Sequence, residues 1–213
     1  MAEVDVLAGR REAGEAGPAP EVSVVVTVFD EQDTVLPLYE RTVAALEPLP
    51  FTFELLFVDD GSRDGSWAEI ERLHDLDPRV RGVRFKRNFG QHPAMHAGLV
   101  RARGATIVTM DGDLQNQPED IPRLLDAVAA GVDVASGRRA ARHDSWGRTL
   151  PSRLINGMLR RFTGVAISDF GCAFNAYRRG AVDPMLGSIG RQKFTKALVL
   201  SGGASVVEVL VRV

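Results

Sequence analysis

Residues 106–119 read TIVTMDGDLQNQPE, and the interpretation of the whole chain starts from them. The stretch opens with five apolar or β-branched residues, the pattern of a strand buried on both faces of a sheet. Asp111 and Asp113 follow at the carboxyl end of that strand. Pro118 and the acids after it are typical of the first turn of a helix. The loop between strand and helix therefore falls where open α/β sheets bind ligands.

Asp111 and Asp113 stand one residue apart and concentrate negative charge in this loop. A divalent cation would stabilise that charge. Carboxylate oxygens suit Mg²⁺ or Mn²⁺, which keep some water ligands and bridge to substrate phosphates. Solvated acids in a loop that precedes a helix are the alternative interpretation.

The composition is that of one ordinary domain. The 213 residues are 45% apolar and 25% charged, which is typical of a soluble globular protein with a single sizeable core. A net charge of -2 gives no signature of nucleic-acid binding. Cys172 is the only cysteine, which excludes an intrachain disulfide and suits a reducing cytoplasm. No apolar run reaches the ~18 residues of a membrane span, and the first residues lack a signal-peptide core.

Strand and helix patterns alternate on both sides of this stretch. Residues 1–20, rich in Gly, Ala, Glu and Pro, predict a mobile tail, and residues 21–213 predict one domain. Ser66 and Glu69 have the spacing of a capping box. Strands are predicted at residues 22–28, 51–58, 80–85, 106–110 and 132–136, and helices at about 34–46, 66–76, 93–103 and 118–130. This alternation predicts a mostly parallel sheet with right-handed crossovers. The small residues Ala94, Ala97 and Gly98 predict a helix that approaches the sheet closely.

The order becomes less regular after these elements. The predicted elements are a helix at 145–162, a strand at 170–177, a helix at 191–200 and a Val-rich strand at 204–213. Because the chain stops in or just after the last strand, we expect a shortened chain that lacks a carboxyl-terminal continuation. The last strand could pair with a second copy, so a homo-oligomer is one expectation.

Three polar clusters stand at the ends of predicted strands, at residues 27–31, 59–62 and 111–115. Because the carboxyl ends of parallel strands share one edge of a sheet, the clusters should converge on one cleft. Asp59 and Asp60 could accept hydrogen bonds from a nucleobase imide N–H or from ribose hydroxyls. Asp-Gly-Ser is also common turn chemistry, so a purely structural turn remains open.

Seven arginines stand between residues 138 and 161 against one acid, Asp144. A solvated helix face is the usual reason for such a run. The excess also suits phosphate groups, since a guanidinium pairs with two phosphate oxygens at once, or an anionic membrane surface. His92 and His96 have the spacing of zinc ligands on one helix face, but no third ligand stands at a typical spacing, and packing or hydrogen bonding is the simpler interpretation.

Taken in order, these motifs resemble the family-2 glycosyltransferases of the GT-A fold. The branch most similar to this chain moves a sugar from a nucleotide to dolichyl or undecaprenyl phosphate. One Asp-x-Asp is a weak signal, whereas an ordered set spanning residues 21–213 is specific. The motifs are VVVTVFDE at 24–31, VDDGSRDG at 58–65, RNFGQHPAMHAG at 87–98, MDGDLQNQPE at 110–119, SGR at 136–138 and DFGCAFNAYR at 169–178. The resemblance implies a Rossmann-like three-layer α/β sandwich around a mostly parallel sheet.

The resemblance also implies roles for individual residues. They are Thr27, Phe29, Glu31, Asp59, Asp60 and Asp111 for the nucleoside of a UDP- or GDP-linked sugar, Asp113 and Gln115 for Mg²⁺ or Mn²⁺, and Arg138, Arg148 and Ser152 for the donor and acceptor phosphates. A lipid phosphate is the implied acceptor. We therefore expect a cytoplasmic protein that works peripherally at the inner face of the membrane.

Some residues depart from the family pattern. Thr27 and Asp30 stand where the family usually has Pro and Asn, and Gly112 stands where it has Ala. Because the carboxylates remain, these changes put the nucleotide preference in doubt more than the chemistry. The chain also stops before the basic, serine-containing acceptor loop and the membrane helices of such relatives.

The implied reaction is a single displacement with inversion at the anomeric carbon. The metal and the arginines would neutralise charge on the leaving nucleoside diphosphate. A phosphate acceptor is already ionised, whereas a hydroxyl acceptor needs a general base, for which Asp169 is the candidate. The predicted catalytic residues are thus Asp113, Arg138, Arg148 and Asp169.

Four other functions were weighed against this one. A phosphatase of the haloacid dehalogenase type carries Asp-x-Asp on its first strand, and a dinucleotide dehydrogenase needs a Gly-rich turn there, so neither fits. Transfer to a soluble saccharide or small metabolite remains open. So does a degenerate module that binds a sugar nucleotide without turnover.

Overall fold

The computed structural model describes residues 4–7, 18–139, 171–186, 199–200 and 202–212. The predicted helix at 145–162 and most of the one at 191–200 lie outside the described residues. The same holds for three predicted site residues, Arg148, Ser152 and Asp169.

Eight strands form one sheet within the described part of the chain. They are β1 Val4–Leu7, β2 Val22–Val28, β3 Phe53–Asp59, β4 Val80–Phe85, β5 Thr106–Asp111, β6 Val134–Arg139, β7 Asn175–Arg178 and β8 Val206–Val211. Their order across the sheet is β1-β4-β3-β2-β5-β7-β6-β8. Strands β2 to β5 pair in parallel, as do β6 and β8, while β1 and β7 run antiparallel to their neighbours. The predicted mostly parallel sheet is confirmed.

Helices cover both faces of this sheet. They are α1 Gln32–Leu46, α2 Ser66–Leu76, α3 Gln91–Arg101, α4 Ile121–Ala129 and α5 Arg179–Val182, with 3-10 turns at Pro118–Asp120 and Asp183–Met185. Successive side chains of a strand point to opposite faces. Val24 and Val26 of β2 therefore belong to the core under α1, α2 and α4, whereas Val25 belongs to the core under α3. The three layers follow from this alternation. None of the described helices is long and apolar enough to cross a lipid bilayer.

Helix α3 lies very close to the sheet. A β-carbon built at Gly98 would overlap Cγ1 of Val25 and lie 3.1 Å from Cγ2 of Val58. Ala94 and Ala97 are buried beside it. The close approach predicted from these small residues is confirmed.

The first strand was not predicted. Residues 1–20 were assigned to a mobile tail, but Val4–Leu7 pair antiparallel with β4, where Val4 lies opposite Phe85. Leu7 packs over Gly82, which has no side chain to exclude it, next to Ile70 and Trp67. Four residues are too few for hydrophobic periodicity to mark a strand.

Several element ends differ from the prediction. The capping box is wrong, because Ser66 is the first residue of α2 and its N–H donates to Asp64 Oδ1 at 2.9 Å. The carboxylate of Asp64, which lies just before the helix, is a stronger hydrogen-bond acceptor than the hydroxyl of Ser66. Helix α3 ends at Arg101 rather than at a Gly104 cap, since Gly104 is pressed against the backbone of Ser23. Strands β7 and β8 begin later than predicted.

Candidate functional site

A cleft of about 370 Å³ opens at the carboxyl ends of β2, β3 and β5. These strands are neighbours in the sheet, so the polar segments that follow them come together. The lining residues are Thr27, Val28, Phe29, Glu31, Asp60, Asn88, Gly90, Gln91, Asp111, Gly112 and Asp113. The convergence of the three clusters on one cleft is confirmed.

The loops after β2 and β3 are tied to each other by hydrogen bonds. The N–H of Asp30 donates to Ser62 Oγ at 2.9 Å, and the N–H of Arg63 donates to Asp30 Oδ1 at 2.7 Å. The N–H of Glu31 donates to Ser66 Oγ at 2.9 Å. Asp30 has a φ of 55°, a left-handed conformation that Asp tolerates better than most residues. These bonds fix Phe29 and Glu31 at the rim of the cleft.

Asp59 and Asp60 are adjacent but have different surroundings. Asp59 is fully buried, and its Oδ1 accepts the N–H of Ser62 at 2.8 Å while Oδ2 faces Arg84 Nε at 3.5 Å. Asp59 is absent from the described residues that line the cleft. The structure thus gives Asp59 the turn role that its Asp-Gly-Ser sequence also allowed, and its contact with a nucleoside stays a prediction.

Asp60 lines the cleft and holds the loop that follows β4. Its two carboxylate oxygens accept the N–H groups of Phe89 and Gly90, each at 2.8 Å. Burial raises the pKa of Asp60, and the charge of Asp59 adds to this, although the two N–H donors oppose it. The net direction is upward. Asp60 therefore both shapes the cleft and presents a carboxylate to it.

Glu31, Asp111 and Asp113 all line the cleft. Oδ1 of Asp111 accepts hydrogen bonds from Thr27 Oγ1, at 3.3 Å, and from Gln91 Nε2. Burial raises the pKa of Asp111, and the charge of Asp113 raises it further. Burial likewise raises the pKa of Glu31, with the nearby aspartates contributing. Burial and mutual repulsion make the ionised form of these carboxylates less favourable, and a bound cation would stabilise it.

The donor set fits a hard divalent cation. Asp113 Oδ1 accepts the N–H of Gln115 at 3.0 Å in a turn where Leu114 has a φ of 59°. No group of three or more His, Cys, Asp or Glu side chains in the described ranges forms a complete metal cage. Mg²⁺ and similar ions commonly take one or two carboxylates and complete their shell with water and substrate phosphates. Asp111 and Asp113 are sufficient for that mode.

His96 is one of the two histidines that have the spacing of zinc ligands. Its Nε2 lies 2.9 Å from the carbonyl oxygen of Leu186, which fits the simpler interpretation of hydrogen bonding.

The loop that carries Asp113, residues 112–117, is anchored by helix α1. Thr34 Oγ1 donates to the carbonyl oxygen of Gly112 at 2.6 Å. Arg41 binds both carboxylate oxygens of Glu119, at 2.7 and 2.8 Å, and also the side chain of Gln117. We call residues 112–117 the cation loop. These hydrogen bonds hold the cation loop against α1.

Arg138, a predicted phosphate contact, is exposed at the end of β6. It is not among the described residues that line the cleft. Its neighbour Arg139, which belongs to the predicted arginine run but was given no role of its own, carries a charge that opposes the rise in the pKa of Asp111. Asn88, Gly90 and Gln91 were also missed as site residues. Their position directly after a predicted strand, as for the other clusters, was the signal that could have identified them.

Known proteins resemble this chain in sequence. A profile described as "Glycosyl transferase family 2" matches residues 23–186. The undecaprenyl-phosphate 4-deoxy-4-formamido-L-arabinose transferase of Pseudomonas fluorescens (strain SBW25) is 44% identical over 191 residues, 89% of this chain and 56% of that protein. The protein of the same name from Edwardsiella ictaluri (strain 93-146) is 44% identical over 193 residues, 90% of this chain and 59% of that protein. The chain thus spans somewhat more than half the length of these curated relatives.

Solved structures share the fold. A mannosyltransferase from Pyrobaculum calidifontis in complex with GDP-Man and Mn²⁺ has a TM-score of 0.65 at 17% identity, covering 92% of this chain and 57% of its own. Glucosyl-3-phosphoglycerate synthase from Mycobacterium tuberculosis in complex with Mn²⁺, UDP and glucosyl-3-phosphoglycerate has a TM-score of 0.60 at 17% identity, covering 91% and 71%. The three-layer GT-A fold is confirmed. Since the profile covers well over half of the chain, the chain belongs to glycosyltransferase family 2.

Proposed function

We propose that this chain is the donor-binding, catalytic domain of an inverting glycosyltransferase that moves a sugar from a nucleoside diphosphate to a polyprenyl phosphate. The observation that carries the proposal is the cleft, where Asp60 at the end of β3 and Asp111 and Asp113 at the end of β5 gather beside the loop that follows β2. Membership of the family supports the reaction class. The relatives at 44% identity, which are named as undecaprenyl-phosphate sugar transferases, support the acceptor.

The nucleoside would occupy the end of the cleft between the loops after β2 and β4. Phe29 is 40% exposed there and offers an aromatic face on which a base can stack. Thr27, Glu31 and Asp60 supply hydrogen-bonding groups around it. Asp60 can accept further hydrogen bonds, since each carboxylate oxygen has about two acceptor sites and the backbone uses one of each.

The diphosphate would lie toward Asp111 and Asp113. A Mg²⁺ or Mn²⁺ ion held by Asp113 and Gln115, with Asp111 beside it, would neutralise the charge that develops on the leaving group. Gln91 and Thr27 keep Asp111 in place through their hydrogen bonds to Oδ1. Arg138 would add a guanidinium on the far side of the diphosphate, with Arg148 and Ser152 as further proposed phosphate contacts.

A phosphate acceptor needs little help from a base, because its oxygen is ionised at neutral pH. Electrostatic stabilisation of the leaving group is then the main task of the protein. If the acceptor were a hydroxyl, a general base would be required, and Asp169 is the proposed one. A polyprenyl acceptor also implies that the protein works at the cytoplasmic surface of a membrane, where its lipid substrate resides.

Calorimetric titration with UDP and with GDP, each with and without Mn²⁺, tests the donor site. We expect one of the nucleotides to bind in a Mn²⁺-dependent manner, and Asp113→Ala to lose the metal-dependent part. Asp126→Ala is the matched control, because Asp126 is an exposed acid on α4 outside the cleft. Failure of both nucleotides to bind the wild-type protein would contradict the donor site.

Transfer from the corresponding nucleotide sugar to undecaprenyl phosphate tests the acceptor. We expect the sugar to appear on the lipid with the anomeric configuration inverted. Transfer to a soluble saccharide and not to the lipid would assign the hydroxyl-acceptor reaction. Nucleotide binding without transfer to either acceptor would assign a binding module.

A further inference from the structure

Asp120 binds Arg212, the residue after β8, instead of capping the helix that it precedes. Asp is among the best residues at a helix N-cap, where its carboxylate normally accepts an N–H from the first turn. Helix α4, which lies wholly within the described residues, receives no such bond from Asp120. The carboxylate accepts the backbone N–H of Arg212 at 2.8 Å and the guanidinium Nε and Nη2 at 2.9 to 3.2 Å. Asp120 is only 1% exposed.

The two partners connect separate parts of the proposed site. Asp120 ends the 3-10 turn that follows the cation loop, and its own N–H donates to the carbonyl oxygen of Gln117 at 3.0 Å. Arg212 follows β8, in which Leu210 and Val211 lie opposite Arg138 and Arg139 of β6. This ion pair therefore links the loop that carries Asp113 to the strand ends that carry the two arginines.

The ion pair also stabilises the fold. The side chain of Arg212 is 61% exposed, but the carboxylate of Asp120 is buried, and removing the partner of a buried charge is destabilising. Helix α4 is held to the core by the buried side chains of Ile121, Leu124 and Val128. Asp120 itself has helical backbone dihedrals and ends a 3-10 turn that runs directly into α4. Its carboxylate is therefore not needed as a cap and is available to Arg212.

We infer that Asp120 and Arg212 are positioning residues that keep the cation loop and the Arg138–Arg139 strand end in a fixed arrangement. The inference rests on the proposed function of the cleft. Arg212 acts through Asp120, three residues beyond the end of the loop that Arg41 holds through Gln117 and Glu119. Cation-dependent donor binding is thereby coupled to the end of β8.

Two variants of the full chain, Arg212→Gln and Asp120→Asn, test the inference. Arg72→Gln is the matched control, because Arg72 forms an exposed ion pair with Glu69 on α2, away from the cleft. In hydrogen exchange followed by mass spectrometry, we expect the amides of residues 112–117 to exchange about tenfold faster in both test variants, because local opening of the loop then costs less free energy. The control should match the wild-type protein.

Ligand binding provides a second readout. We expect UDP or GDP with Mn²⁺ to bind the test variants about tenfold more weakly, while the free nucleosides uridine and guanosine, which have no phosphates, bind unchanged. Arg212→Lys, which keeps the charge and the backbone N–H but loses the two-nitrogen fork, should fall in between.

Two results would overturn the inference. One is wild-type exchange of residues 112–117 in Arg212→Gln, and the other is a uniform acceleration across the chain, which would indicate global destabilisation only. If the wild-type protein binds neither nucleotide, the proposed function fails, while the exchange measurement still decides whether β8 controls the cation loop.

Discussion

A β-carbon at Gly61 would lie 2.6 Å from the Cα of Arg87, so the turn after β3 and the loop after β4 touch backbone to backbone. Gly61 also has a φ of 77°, which glycine adopts without strain and other residues do not. The contact supports the loop after β4, whose Phe89 and Gly90 N–H groups donate to the carboxylate of Asp60. The shape of one wall of the cleft therefore depends on this glycine.

Gly61→Ala should lower the free energy of unfolding by about 2 kcal/mol, since it combines an unfavourable φ with a backbone clash. It should also weaken nucleoside binding, because Phe89 and Gly90 must move away from Asp60. Urea denaturation and calorimetry measure the two effects. Gly180→Ala is the control, because no described heavy atom lies within 4 Å of a β-carbon built there. Unchanged nucleoside binding in Gly61→Ala would contradict the role of this contact.

Asp111→Asn should make the protein more stable at neutral pH. Because burial raises the pKa of Asp111, the unfolded chain releases this proton at a lower pH than the folded protein does. The stability that the protonated group provides is complete below the unfolded pKa and is lost as the pH rises through the folded pKa. Replacing the carboxyl by a neutral amide removes that loss.

We expect the unfolding midpoint of Asp111→Asn to rise by about 2–4 °C at neutral pH without metal, the change that roughly 1 kcal/mol produces in a domain of this size. The difference should shrink at about pH 4, near the ordinary pKa of an aspartate. Asp126→Asn, an exposed position on α4, should leave the midpoint unchanged. A lower midpoint for Asp111→Asn at neutral pH would contradict the prediction.

Glu54→Gln should destabilise the protein without altering the cleft. Glu54 is 1% exposed at the amino ends of the strands, where it accepts Ser23 Oγ at 2.6 Å and pairs with Arg81 and Arg103 at 3.1 and 2.7 Å. Burial alone would raise its pKa, but these hydrogen bonds and charges bring the pKa below the usual value. Breaking such a buried pair costs about 3 kcal/mol.

The effect should depend on pH. A carboxyl group with a lowered pKa contributes stability above its unfolded pKa, and that contribution is lost as the pH falls through the folded pKa. In urea denaturation, the difference between the wild-type protein and Glu54→Gln should therefore be largest at neutral pH and diminish below about pH 4. Glu71→Gln, on the exposed face of α2, is the control. A constant difference at all pH values would exclude the ionised pair as its cause.

Gly98→Ala should cost about 1–3 kcal/mol by overpacking α3 against β2. The atom that it meets is Cγ1 of Val25, a side-chain atom that a second substitution can remove. The double variant with Val25→Ala should therefore be less destabilised than the sum of the single variants by about 1 kcal/mol. Simple additivity in urea denaturation would show that α3 shifts as a whole instead.

Local patterns predicted the parallel core of the fold. Strands such as β2 and β5 can be predicted from their own residues, because a strand that is buried on both faces is apolar at nearly every position. Strand β1 was not predicted, and β7 was predicted as a strand but without its place and direction in the sheet. Four residues carry little periodicity, and the antiparallel direction of Asn175–Arg178 is determined by the strands on either side.

The site was predictable as a group of segments and less so residue by residue. Asp59 and Asp60 look equivalent in sequence, but the end of β3 leaves one carboxylate inside the protein and turns the next one toward the cleft. Gln91 and Arg139 act on Asp111 from other elements. Contacts between residues far apart in the chain depend on how helices and strands pack, which sequence periodicity does not encode.

The reversed strand β7 also sets a dimension of the molecule. It lies between β5 and β6, and neighbouring strands are about 4.8 Å apart, so the backbones that carry Asp111 and Arg138 are roughly 9.6 Å apart. In a sheet with β5 and β6 adjacent, a carboxylate and a guanidinium at these positions would be near enough to neutralise each other directly. The interposed strand keeps these opposite charges apart, which leaves room between them for the diphosphate and cation of the proposed function. The width of the gap is thus built into the strand order.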